Sequence, residues 1–175
     1  MQNNNIILMG FMGVGKGSLA RLLSKETGRI SIDTDDLIES MENTKIKKIF
    51  EEEGESYFRQ VEKNLSLWLE ESVKNSIISV GGGFYHVGNL QEIAHVVYLE
   101  SSFDAILDRI NSFDNAKKKL KKRPLLKDMA RAKELISKRH PGYLACADTV
   151  IQTAGKTSAE IAAEIIKLLK LKTTT

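Results

Sequence analysis

Residues 6 to 16, "IILMGFMGVGK", constrain the chain more than any other stretch. The stretch "NIILM", residues 5 to 9, reads as a short buried strand. It passes straight into Gly10, Gly13 and Gly15, then Lys16 and Gly17, and a helical stretch follows over 18–26 with Gly28 as its stop. Glycines at that density keep side chains away, so backbone N–H groups can turn inward around a dense negative charge. The positive end of the following helix adds to the same field. "GFMGVGK" has the G-x-x-x-x-G-K spacing of a phosphate-cradling loop, and it lies between a strand and a helix, where that spacing has meaning. Gly10, Gly13, Val14, Gly15, Lys16, Gly17 and Ser18 are therefore expected to line a nucleotide phosphate site, with Lys16 reaching the terminal phosphates.

The residue after the lysine departs from that pattern. A Ser or Thr there would offer a hydroxyl to Mg²⁺, but this chain has Gly17, and Ser18 comes one residue late. Either Ser18 serves in a shifted geometry, or water and a carboxylate take over, since Mg²⁺ readily keeps several waters.

The apolar runs recur. Residues 29–33, 76–80, 95–100 and 149–153 read as four further strands. Helical patterns lie between them, over 36–41, 103–110 and 127–138, and over 45–73 with an interruption near Gly54. Val61, Leu65, Trp68 and Val73 fall on one stripe, with Trp68 expected in the core. Thr157 and Glu160 form a capping box for a last helix that sets Ile161, Ile165 and Leu168 on one face. Apolar strands alternating with helices predict a parallel sheet covered on both faces. Residues 111–124 are polar and basic without an apolar period and read as a mobile loop, and the threonine tail is expected to fray. No repeat or linker divides the chain, so 1–175 is read as a single domain, long enough at 175 residues to bury a substantial core.

Composition narrows the function. A formal net charge of +3 is mild for a nucleic-acid binder and suits an acidic small-molecule substrate. "KKKLKKR" reads as a solvated charged loop, without the interleaved aromatics that stack single strands. Cys146 is the one cysteine, which excludes an internal disulfide and fits a reducing compartment; following Leu144 and Ala145 it reads as a small buried hydrophobe. The N-terminus lacks a signal peptide's basic start, and no stretch is long and apolar enough to span a membrane, so a cytoplasmic protein is expected. His86, His95 and His140 have no metal-ligand spacing, and His95 reads as structural. Without a heptad seam, a monomer is the default expectation.

Asp33 and Asp35, in "IDTDDLIE", stand at and just past the end of the second strand, where open α/β sheets bind ligands. Taken alone they would read as a helix cap. They are joined by Arg59 in "YFRQ", Gly81, Gly82 and Gly83 in "SVGGGF", Arg123 in "KKRPLLK" and Arg139 in "KRHPGY". With the glycine loop, this ordered set resembles shikimate kinase, within the nucleoside monophosphate kinase-like group, from about Asn5 to Leu169.

That resemblance implies a three-layer α/β P-loop kinase fold with a five-stranded parallel sheet, a substrate-binding segment at about 34–62 and a lid at about 111–126. It implies ATP and Mg²⁺, with transfer to the 3-hydroxyl of shikimate. Arg59 and Arg139 match the pair that grips the substrate carboxylate. Asp35 matches the acid that holds the hydroxyls and takes a proton, and Gly81, Gly82 and Gly83 match the glycines under the ring. Asp33 matches the acid that orders the waters of Mg²⁺. Arg123 matches the lid arginine at the phosphates, and Arg109 the arginine that stacks on adenine, which residues 154–156 would flank. Other readings are a gluconate or nucleotide kinase of the same fold, and a nucleotide-binding, RNA-associated regulator using the basic lid; the triple glycine and the arginine pair favour a carboxylated ring.

Overall fold

The computed structural model describes residues 4–112 and 128–174. Five parallel strands form one sheet in the order β2-β3-β1-β4-β5: β1 Ile6–Met9, β2 Ile30–Asp33, β3 Ser76–Ser79, β4 His95–Glu100 and β5 Thr149–Gln152. The first chain segment thus becomes the central strand, with Ile7 opposite Ile78 on one side and Val96 on the other. Side chains alternate across a strand, so each interior strand feeds two cores. Ile6, Leu8, Ile77, Val97 and Leu99 face α1 (Lys16–Thr27), α6 (Phe103–Asn111) and α8 (Ser158–Leu168). Ile7, Met9, Ile78, Val96 and Tyr98 face α2 (Thr34–Met41), α3 (Ile46–Glu52), α4 (Gly54–Ser72), α5 (Leu90–Ile93) and part of α7 (Met129–Cys146). Burying one such aliphatic side chain contributes about 1.5–3 kcal/mol. β1 and β3 are buried throughout, whereas the outer strands β2 and β5 leave Ile30 and Val150 exposed.

Several expectations need correction. Trp68 is 45% exposed, and Leu168 is 55% exposed. Each stands seven residues beyond the residue that opens its stripe, Val61 or Ile161. An α-helix drifts about 20° over seven residues, enough to carry a side chain off a narrow apolar face. The helix expected to end near Lys138 continues through Pro141 to Cys146. Pro141 gives up one intrahelical bond. The extra turn in exchange seats Tyr143, which is fully buried, and brings Cys146 Sγ to within 3.7 Å of the Tyr85 carbonyl. Cys146 is half-buried, and burial pushes its thiol up from the ordinary range. The tail does not simply fray: the Thr174 N–H donates to the Glu26 carbonyl at 2.9 Å. His95 meets Thr149 across β4 and β5 at 2.8 Å, a contact between neighbouring strands. The basic loop, the lid and Arg123 fall almost wholly on 113–127, outside the described residues.

Candidate active site

The carboxyl ends of β1, β2 and β3 open onto one cavity of about 320 Å³. Gly13, Gly15, Lys16, Gly17, Ser18, Asp33, Asp35, Gly81 and Gly82 all line it. The loop after β1 takes shape from backbone constraints. A Cβ on Gly10, whose φ is +150°, would lie 2.8 Å from the Leu99 carbonyl, so the loop stays against β4 only without one. Val14 turns down into the core as an anchor. Gly15 caps α1 with φ +107° and offers no side-chain cap, leaving the first N–H groups of the helix pointing toward the cavity. Lys16 Nζ folds back to donate to the carbonyls of Gly10 at 2.8 Å and Phe11 at 3.1 Å. Over this loop lies Arg109 from α6, whose Nη2 donates to Ser158 Oγ at 2.6 Å and whose guanidinium is close enough to exclude a Cβ from Gly15.

The triple glycine explains itself side chain by side chain. A Cβ on Gly81 would lie 2.5 Å from Asp35 Oδ1, one on Gly82 would lie 3.1 Å from Arg139 Nη1, and one on Gly83 would strike the Arg59 guanidinium. Three consecutive glycines therefore make room for one acid and two arginines, delivered by α2, α7 and α4. The backbone here is pinned. The Gly81 N–H donates to Thr34 Oγ1 at 3.1 Å, while Tyr143 Oη and Arg139 Nη1 donate to the Gly82 carbonyl at 2.6 and 3.1 Å. Arg139 and Tyr143 are one helical turn apart, which is why the continuation of α7 past Pro141 matters to the site.

Asp33 has both of the characters open to it in the sequence. It caps α2, accepting at Oδ1 from the N–H groups of Asp35 and Asp36, and it also lines the cavity. Asp35 has a carboxyl raised to about 6, chiefly by burial, then by the negative charge of Asp33, with Lys16 opposing. Among the described residues no cluster of three or more His, Cys, Asp and Glu forms a ready cage for a metal.

Four participants were not singled out from sequence. Glu62 is only 2% exposed and ion-pairs with Arg59, which also binds Glu55 at 2.9 Å. Burial drives the Glu62 carboxyl upward, against the pull of Arg59. An acid sitting within the apolar stripe of Phe58, Val61 and Leu65 was its signal. Tyr143, Ser79 and Arg21 also reach this region, and nothing local marks them out.

A phosphate loop at the carboxyl edge of a parallel sheet ordered 2-3-1-4-5 defines a P-loop nucleotide-binding fold. The family model described as shikimate kinase matches residues 12–170. A shikimate kinase of Helicobacter hepaticus is 38% identical over 166 residues, covering 94% of this chain and 95% of its own length. Among solved structures, shikimate kinase from Acinetobacter baumannii in complex with shikimate is 30% identical with a TM-score of 0.72, covering 95% of this chain and 93% of that one. Shikimate kinase from Aquifex aeolicus is 31% identical with a TM-score of 0.77, covering 95% and 96%. The chain belongs to the shikimate kinase family.

Proposed function

We propose that this protein transfers the γ-phosphoryl group of ATP to the 3-hydroxyl of shikimate. The observation that carries the reading is the triple glycine, packed against one acid and two guanidinium groups. A ring with several hydroxyls and one carboxylate needs that set: a flat floor, an acceptor for hydroxyl protons and planar forks for the carboxylate. Arg59 and Arg139 take the carboxylate. Asp35 accepts the proton of the attacking hydroxyl as its oxygen bonds to the γ-phosphorus and the bridging P–O bond to ADP breaks. A carboxyl raised to about 6 is a stronger base than an ordinary one and is still mostly ionised at pH 7. Lys16 and the N–H groups of the loop and α1 stabilise the charge on the phosphates. Arg109, laid across the loop at Gly15, is placed to flank the nucleotide.

Mg²⁺ fits the donor set, since the carboxylates of Asp33 and Asp35 line the same cavity as the phosphate loop. When bound, it would neutralise phosphate charge; Asp33 is the residue best placed to orient its waters. The single cysteine and the ATP-dependent chemistry support a cytoplasmic setting, and no described helix is long and apolar enough to cross a membrane. The test is coupled ADP release from Mg-ATP. Shikimate should elicit turnover, while gluconate, AMP and RNA should not; equal turnover with any of these would overturn the assignment.

A further inference from the structure

Gly17 stands where the loop pattern calls for a metal-binding hydroxyl, and the structure shows what surrounds the missing side chain. A Cβ there would lie 3.5 Å from Asp33 Oδ2, 3.7 Å from Arg21 Nη1 and 4.0 Å from Ser79 Oγ, none close enough to clash. The glycine is therefore not forced by crowding; it leaves a polar notch in the wall of the cavity. Asp33 and Ser79 are register partners at the carboxyl ends of β2 and β3, so their side chains project to the same side of the sheet. Asp33 spends Oδ1 on capping α2, which leaves Oδ2 to face the notch. Ser79 is only 3% exposed, it lines the cavity, and its hydroxyl has no hydrogen-bond partner among the described residues. Its Oγ opens onto that cavity, so water in the cavity is the partner left to it.

Ser18 is the poorer candidate. It is exposed, and it lies about 100° further round α1 than Gly17. Turning it into the notch would unseat Leu19 from the core.

We propose that Ser79 supplies the hydroxyl that Gly17 lacks, acting through one water. The notch replaces a hydroxymethyl group, a volume close to the ~30 Å³ share of one water in the liquid, and it offers the polar partners a buried water needs. That water donates one proton to Asp33 Oδ2 and the other to Ser79 Oγ, and keeps its lone pairs for the cation. The Arg21 guanidinium on the third side opposes added positive charge. Orientation of the water, rather than net charge, therefore sets the affinity. Ser79 is a positioning residue in this scheme. The proposal rests on the reading of this chain as a Mg²⁺-ATP enzyme.

The experiment measures Mn²⁺ binding to the protein–ADP complex by electron paramagnetic resonance, for the wild type, Ser79→Ala, Gly17→Ser and the double variant. Loss of a group that orients a ligand from outside the coordination sphere typically weakens metal binding at least tenfold, so Ser79→Ala should lose about tenfold. Metal-free ADP affinity should stay unchanged, and Ser79→Thr, which keeps the hydroxyl, should bind Mn²⁺ as the wild type does. Gly17→Ser should tighten binding, and in that background Ser79→Ala should lose little, because the new hydroxyl displaces the water. An unchanged Mn²⁺ affinity in Ser79→Ala would overturn the proposal. So would an equal loss in both backgrounds, or a loss in Ser79→Thr as large as in Ser79→Ala. If the wild-type protein adds nothing to the affinity of ADP for Mn²⁺, the metal reading falls and takes this proposal with it.

Discussion

Replacing Asp35 by asparagine should make the protein more stable and unable to turn over. Asp35 carries a carboxyl raised from 3.8 to about 6, mainly because the folded chain buries it and secondarily because Asp33 is near. The folded state therefore holds the Asp35 proton more tightly than the unfolded chain does, and the ionised form works against folding. A rise of that size, at about 1.4 kcal/mol for each tenfold in proton affinity, amounts to about 3 kcal/mol at pH 8. The sign follows directly. Wild-type stability gains this contribution as pH falls through 6, and has all of it below the unfolded value of 3.8. The asparagine side chain is neutral at every pH, so the advantage of Asp35→Asn over the wild type should be about 3 kcal/mol at pH 8, shrink below pH 6 and vanish near pH 4. Urea denaturation of both proteins at pH 8, 6 and 4 measures the difference, and ADP release measures the lost activity. An Asp35→Asn protein no more stable than the wild type at pH 8, or stabilised equally at all three values, would refute the account of a buried acid kept at the expense of stability. Full turnover by the same variant would refute the role of Asp35 as proton acceptor.

Other consequences follow from the same geometry. In the wild type, kcat/KM for shikimate should drop about tenfold per pH unit below about 6, as Asp35 takes up its proton; an activity plateau extending down to pH 5 would exclude Asp35 as the base. Arg139→Ala should weaken shikimate binding by about 2–5 kcal/mol with ATP affinity almost untouched, as calorimetry on each ligand would show. Arg59→Ala should do the same and also destabilise the fold by about 3–5 kcal/mol, because it strands the buried Glu62 carboxylate; equal urea midpoints for the two arginine variants would contradict that pairing. Gly81→Ala drives a Cβ to 2.5 Å from Asp35 Oδ1, so turnover should fall about a hundredfold for a displacement near 1 Å, with nucleotide affinity preserved.

Local chemistry alone determined a large part of this molecule. The phosphate loop was legible because everything that defines it lies within Gly10–Lys16, between an apolar strand and a helix. The five strands and most helices were legible because burial on two faces leaves an apolar run, and burial on one face leaves a periodic stripe. The triple glycine was visible as a motif, but the partner of each glycine was not. Gly81 meets an acid from α2, Gly82 an arginine from α7 and Gly83 an arginine from α4, and only the folding of those helices over the sheet brings them together. Where a stripe meets its edge, sequence period also runs out. Trp68 and Leu168 are off their faces because helix drift and the position of the packing neighbour, not hydrophobicity, decide which edge residue is covered. The helical pattern reads as ending at Lys138, yet α7 continues through Pro141 because Tyr143 and Cys146 find partners on the backbone around Gly82 and Tyr85. Ser79 is the extreme case. One serine at the end of an apolar strand carries no local signal, and it acquires a role only because Asp33 pairs beside it and Gly17, sixty-two residues earlier, has no side chain.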